Sequence, residues 1–134
     1  MKKMNVFLVV SVMLTLLISC QKEKVTPPSV FSAVGFWSGA FASGPLIIDI
    51  LNRPDGTTRI YLRVTTDTAL AANRFDGAFT VTGDDYRAQA HDSNLIMKVQ
   101  TLHTTTTSME GIVLMTTAVE GQLVSHPFEV VKQQ

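Results

Sequence analysis

Apolar and polar residues alternate along most of the chain beyond about residue 34. In the segment 59–65, Ile60, Leu62 and Val64 fall on one side of an extended chain and the residues between them on the other. Successive side chains of a strand point to opposite faces, so this period of two predicts strands with one buried face. Eight strands are predicted, at residues 34–42, 45–52, 57–66, 73–82, 85–91, 94–102, 106–116 and 122–131.

Clusters of turn-forming residues separate these runs. The segment Arg53–Gly56 places a proline where a tight turn needs a fixed φ and a glycine where it needs a positive one. The segments 83–85 and 92–94 are similar interruptions, and each predicts a hairpin. A meander with one buried face loses its exposed edges by closing on itself. We therefore predict an all-β fold, a small eight-stranded antiparallel up-and-down barrel, with a β-sandwich as the second choice.

Three predicted strands place a large apolar residue two positions before a glycine. The pairs are Trp37 with Gly39, Phe75 with Gly77, and Met109 with Gly111. A glycine on the inner face of a strand permits sharp coiling or leaves room for a bulky neighbour. This recurrence suits a small, strongly curved barrel.

The N-terminus has a different pattern. A short basic segment, Met1–Asn5, precedes 13 residues, Val6–Ile18, that are apolar except for Ser11 and Thr15. A bilayer span needs about 20 apolar residues, so this run is too short to cross a membrane and is typical of a signal peptide.

The run ends in Leu17-Ile18-Ser19-Cys20, which resembles the lipobox of bacterial lipoproteins. The resemblance implies cleavage before Cys20 and attachment of diacylglycerol to its thiol, so that the membrane is the first predicted partner. An ordinary signal peptide with a chance cysteine is the alternative. The predicted organisation is a signal peptide at 1–19, a lipidated cysteine with a tether at 20–33, and a barrel domain at 34–134.

The residues after Cys20 bear on localisation. Gln21-Lys22-Glu23-Lys24 has no acid directly after the cysteine, unlike inner-membrane retention signals, and resembles the surface-export signal of Bacteroidetes lipoproteins. We therefore expect a lipid-anchored protein of the cell envelope, in the outer membrane and exposed on its surface. The paired prolines Pro27 and Pro28 favour an extended spacer between anchor and barrel.

Composition narrows the function classes. The 134 residues suit one domain, and removing residues 1–19 leaves nine basic and eleven acidic residues. These charges are scattered and form no basic cluster, so no nucleic acid is predicted as a partner. Cys20 is the only cysteine, which excludes a disulfide within the domain.

Gly35-Phe36-Trp37 resembles the Gly-x-Trp signature on the first strand of lipocalin-like barrels. In that family the tryptophan plugs the closed end of the barrel, and the resemblance implies a binding function. Avidin-like barrels begin similarly but surround biotin with several tryptophans, whereas Trp37 is the only one here. The domain is also shorter than typical lipocalins.

Motifs for catalysis are missing from the sequence. It contains no Gly-x-Ser-x-Gly and no glycine-rich phosphate loop, and its three histidines, His91, His103 and His126, lack ligand spacing. Asp84-Asp85 fits a turn better than a calcium loop. The hydroxyl-rich run 104–108 is interpreted as an exposed strand start. We predict no enzymatic activity, no metal and no cofactor.

Two function hypotheses remain. In the first, a surface-anchored barrel holds a small apolar ligand; in the second, a filled barrel contacts an envelope protein as a complex subunit or an inhibitor. The same side chains line a hollow barrel or form the core of a filled one. The candidate lining residues are Trp37, Phe41, Phe75, Phe79, Tyr86, Met97, Met109 and Met115.

Overall fold

The chain forms a closed barrel of eight antiparallel strands that follow one another in sequence order. The computed structural model describes residues 30–64, 73–117 and 123–134. The strands are β1 (Gly35–Phe41), β2 (Leu46–Asn52), β3 (Thr57–Val64), β4 (Asn73–Thr82), β5 (Asp85–His91), β6 (Leu95–Thr104), β7 (Ser108–Thr117) and β8 (Leu123–Lys132). Strand β1 pairs with both β2 and β8, which closes the barrel. The predicted up-and-down barrel is confirmed, and the sandwich alternative is wrong.

The alternating pattern accounts for the strands and for their buried face. Directly paired residues share a face, as Ile50, Ile60 and Phe75 do across β2, β3 and β4, and all three are buried. The strand ends lie within two residues of the predicted ones. Strand β6 runs to Thr104, and a bulge between Thr101 and His103 shifts its register against β7. The shift leaves His103 exposed opposite Glu110, although alternation with Thr101 would turn it inward.

The run 104–108 is a turn and not only a strand start, which corrects the interpretation from sequence. Thr104 ends β6 and Ser108 begins β7. Between them, the Thr105 hydroxyl oxygen accepts hydrogen bonds from the backbone N–H groups of Thr107 and Ser108, at 3.2 and 2.9 Å. A threonine hydroxyl can replace a backbone acceptor in this way, so the hydroxyl-rich composition is explained by local turn geometry.

The barrel has two different ends. At the entry end, residues 30–34 lead into β1 beside the short turns 53–56, 83–84 and 105–107 and the C-terminal residues. The far end carries the turns 42–45 and 92–94. The β3–β4 and β7–β8 connections, 65–72 and 118–122, fall outside the described residues. Within residues 30–64, 73–117 and 123–134, no helix is long and apolar enough to cross a membrane.

Candidate functional site

The barrel interior brings all eight candidate lining residues into one cluster. Two of them, Phe79 and Met115, are partly buried and pack against the core. The fully enclosed members are Trp37, Phe41, Phe75, Tyr86, Met97 and Met109. Their side chains point inward because every second residue of a strand lies on the same face, as the sequence predicted. Their role in binding a ligand stays a prediction.

Trp37 plugs the entry end of the barrel. Its side chain has no exposed surface, and its indole Nε1–H donates a hydrogen bond of 2.8 Å to the Ala33 carbonyl. The Phe31 ring lies 6.0 Å from the indole, and the Lys132 ammonium sits 5.3 Å from the indole centroid. Phe31 and Ala33, which the sequence placed in the tether, are thus buried in the core. The packed unit therefore begins before the predicted boundary at Val34.

A buried polar network supports this plug. The Asn52 amide Nδ2 donates to the Ala33 carbonyl at 3.0 Å. The Asn52 Oδ1 accepts from the Thr58 hydroxyl at 2.7 Å and from the Tyr86 phenol at 3.0 Å. Together these bonds join β2, β3 and β5 to the segment that precedes β1.

Every member of this network has a hydrogen-bond partner. No buried side-chain nitrogen or oxygen among the described residues is left without one. Burial raises the pKa of Tyr86 to about 12, so the phenol stays protonated and remains a donor to Asn52 at neutral pH. A satisfied network with no unpaired group is suited to holding a structure together and offers no reactive atom.

Sequence reasoning missed this network, although a signal for it exists. Asn52 lies two residues after the buried Ile50, and Thr58 lies two residues before the buried Ile60. Each is therefore a polar residue on the inward face of its strand. Two polar residues at inward positions of neighbouring strands, on either side of one turn, predict a mutual hydrogen bond.

The far end of the barrel is more accessible. Five side chains that share the buried face of their strands lie only half-buried there, and we call them the far-end rim: Leu46, Val64, Leu95, Met115 and His126. Phe41 lies next to the rim, and the centroid of its ring is 5.7 Å from the centroid of the His126 imidazole, in an edge-to-face arrangement. The rim is apolar except for one imidazole, which is the composition of a site for a small apolar group.

The three histidines lie apart from one another in the barrel. His126 faces inward on β8, whereas His91 and His103 are exposed on β5 and β6. Within the described ranges, no group of three His, Cys, Asp or Glu side chains is arranged to hold a metal ion.

Paired charges cover the outer wall of β1 to β4. Asp49 accepts a hydrogen bond of 2.5 Å from the Ser38 hydroxyl and forms a 2.9 Å ion pair with Arg63. Asp76 lies between Arg59 and Arg74, at 2.7 and 2.8 Å, and these guanidinium groups lower the pKa of Asp76. The exposed pairs of Asp76 each contribute about 0 to 1 kcal/mol, whereas the Asp49 carboxylate is largely buried. We interpret them as structural cross-strand pairs.

The outer wall also carries shallow concavities. One of about 340 Å³ lies over β4 to β7, between Phe79, Arg87, Lys98 and Leu114. Another of about 540 Å³ lies over β1, β6, β7 and β8, where Leu102 and Glu129 form part of its lining. Both are open to solvent and are lined mainly by outward-facing side chains.

Comparisons of the chain with models of known protein families, with curated proteins and with solved structures found no match.

Proposed function

We propose that this chain is a lipid-anchored, non-enzymatic binding protein of the bacterial cell envelope, located in the outer membrane. Its barrel takes a small apolar group at the far end, directed away from the membrane. The proposal combines the lipobox at Leu17–Cys20 with the difference between the two ends of the barrel.

The entry end supports the proposed orientation. The tether from Cys20 reaches the barrel at Phe31, where Trp37 and Asn52 hold the Ala33 carbonyl. The chain therefore joins the barrel at its plugged end. An acyl anchor at residue 20 would hold that end toward the bilayer and leave the far end toward solvent.

The single observation that carries the binding proposal is the asymmetry of burial along the barrel axis. Near the entry end, the inward side chains of Trp37, Tyr86 and Met109 have no exposed surface, whereas Phe79 and Val81, on the same face of β4 as the buried Phe75, are partly exposed. Leu46, Leu95 and Met115 point inward at the far end and remain partly exposed. Because side chains occupy the interior between the entry end and the far-end rim, the bound group must be small, such as one ring or the end of an acyl chain.

The anchor is tested by replacing Cys20 with serine. Acyl chains contribute about 0.8 kcal/mol per buried CH₂, and two or three of them anchor a protein stably. We expect the C20S protein to lose incorporation of radiolabelled palmitate and its retention in washed membranes. S19A keeps a small residue at the cleavage site and should behave as wild type. Equal membrane retention of C20S and wild type would refute the anchor.

The binding site is tested with the lipidated protein in phosphatidylcholine vesicles, using the apolar fluorophore 1-anilinonaphthalene-8-sulfonate and protein-free vesicles as the baseline. We expect enhanced emission with the wild-type protein. M115E places a charge in the far-end rim and should reduce that enhancement several-fold, because a buried charge disfavours apolar binding. The control L102E changes an exposed side chain on the outer wall and should leave it unchanged.

A second candidate function is supported by two features: side chains fill the interior toward the entry end, and the outer wall carries concavities. In this alternative the barrel is a rigid module that contacts an envelope protein through its outside. It predicts that M115E and L102E bind the fluorophore equally while the protein stays anchored, a result that rejects the first binding proposal.

A further inference from the structure

Exposed apolar side chains concentrate at the entry end of the barrel. Among the described residues, seven large apolar side chains are exposed: Val30, Val34, Phe36, Val81, Leu102, Val124 and Val131. Six of them lie in the N-terminal segment or in strand portions near the entry end, and only Val124 lies at the far end. Exposed apolar residues that cluster on one side of a protein mark an interaction surface.

Four of these side chains form what we call the basal patch: Val30, Val34, Phe36 and Val131. Val131 pairs with Ser38 across β1 and β8, and the Gln133 backbone N–H donates to the Phe36 carbonyl at 2.8 Å. Phe36 and Val131 are therefore diagonal neighbours on the outer face, within reach of an aromatic side chain. Val34 lies two residues before Phe36 and is also exposed, and Val30 is 84% exposed.

From this placement we infer that the basal patch rests on the lipid bilayer and inserts its side chains at the headgroup boundary. The inference depends on the proposed anchor at Cys20. We assign a membrane surface as the partner of this patch because the tether joins the barrel beside it: nine residues lie between Cys20 and Val30. A fully extended chain covers about 3.3 to 3.6 Å per residue, so Val30 stays within about 35 Å of the anchor.

The apolar side chains decide which side of the entry end meets the bilayer. Charges of both signs lie near the patch, Arg53 with Asp55 in the turn after β2 and Lys132 with Glu129 on β8. The acids Asp84 and Asp85 lie at the β4–β5 turn, beside the concavity that contains Leu102. The bilayer contacts the β8–β1–β2 side, because the tether and the apolar side chains of the patch are there.

Two exposed residues on the outward face of one strand provide a matched test. Val131 and Ser125 lie near opposite ends of β8, and both are exposed. Because Cys20 is the only cysteine and is consumed by the anchor, V131C and S125C each create one labelling site. The lipidated proteins are labelled with a thiol-reactive nitrobenzoxadiazole and placed in vesicles of phosphatidylethanolamine and phosphatidylglycerol.

We expect the label at residue 131 to emit at shorter wavelength than the label at residue 125. A nitroxide quencher on the lipid should also quench it several-fold more strongly. F36E should remove most of this difference by placing a carboxylate in the patch, and L102E should preserve it.

The outcomes separate the two proposals. Equal emission and quenching at both positions, in a protein that remains bound to the vesicles, overturns the basal-patch inference and leaves the anchor intact. Thiol labelling of the wild-type protein, together with its release from vesicles, shows instead that Cys20 carries no lipid and rejects the proposed function.

Discussion

Replacing Gly77 with alanine should destabilise the barrel by about 3 kcal/mol, the upper part of the range for overpacking substitutions. A Cβ at this position would overlap the Gln89 carbonyl oxygen and would lie 2.6 Å from the Ala90 Cα. Both are backbone atoms of the neighbouring strand, so a side-chain rotation cannot relieve the overlap. The expected result is a lower urea midpoint for unfolding, followed by the fluorescence of Trp37, the only tryptophan.

Two further glycines should behave in the same way, because a Cβ at Gly39 would meet the Glu129 carbonyl and one at Gly111 the Gln100 carbonyl. T80A is the matched control, since Thr80 is an exposed residue of the same strand as Gly77. It should change the midpoint little. Similar midpoints for G77A and T80A would show that the strands do not approach closely at these glycines.

Replacing Asn52 with alanine should cost about 3 kcal/mol, because it leaves the buried hydroxyls of Thr58 and Tyr86 without their common acceptor. A buried polar group that loses its partner costs about 1 to 3 kcal/mol. The substitution also removes one of the two donors to the Ala33 carbonyl. We therefore expect a lower urea midpoint together with faster proteolysis of the segment before β1.

Y86F is the control for this prediction. It removes one donor, but Asn52 Oδ1 keeps its hydrogen bond from Thr58, so no buried acceptor is left unpaired. Its cost should be about 1 kcal/mol, the usual net value of one hydrogen bond. If Y86F proves as destabilising as N52A, the phenol and not the amide is the centre of the network.

Much of the fold could be predicted because side chains alternate between the two faces of each barrel strand, which is a local property of the sequence. Ile60, Leu62 and Phe75 are buried as their alternation requires, and the Arg53–Gly56 turn falls between β2 and β3. The inward glycines Gly39, Gly77 and Gly111 were predicted to permit sharp coiling, and the structure places the backbone of a neighbouring strand where their Cβ atoms would be. Each of these signals lies within a few residues of the feature that it predicts.

Other features depend on which strands become neighbours. The exposure of His103 follows from a register shift against β7, and no pattern within β6 itself specifies that shift. The hydrogen bond between Tyr86 and Asn52 joins residues 34 positions apart and exists only once β2 and β5 are placed in the same barrel. The burial of Phe31 likewise requires the plugged end that Trp37 and Lys132 help to form.

The sequence by itself determined the eight strands and their inward faces, because side-chain direction alternates residue by residue. It favoured a closed barrel over a sandwich, and the pairing of β1 with β8 in the tertiary structure decided between them. Only the tertiary structure decided that one end is sealed by Trp37 and Asn52 while the far-end rim stays half-exposed. It also decided that the exposed apolar side chains gather where the chain enters the barrel. These properties arise from strand tilt and register, which bring together residues that are distant along the chain.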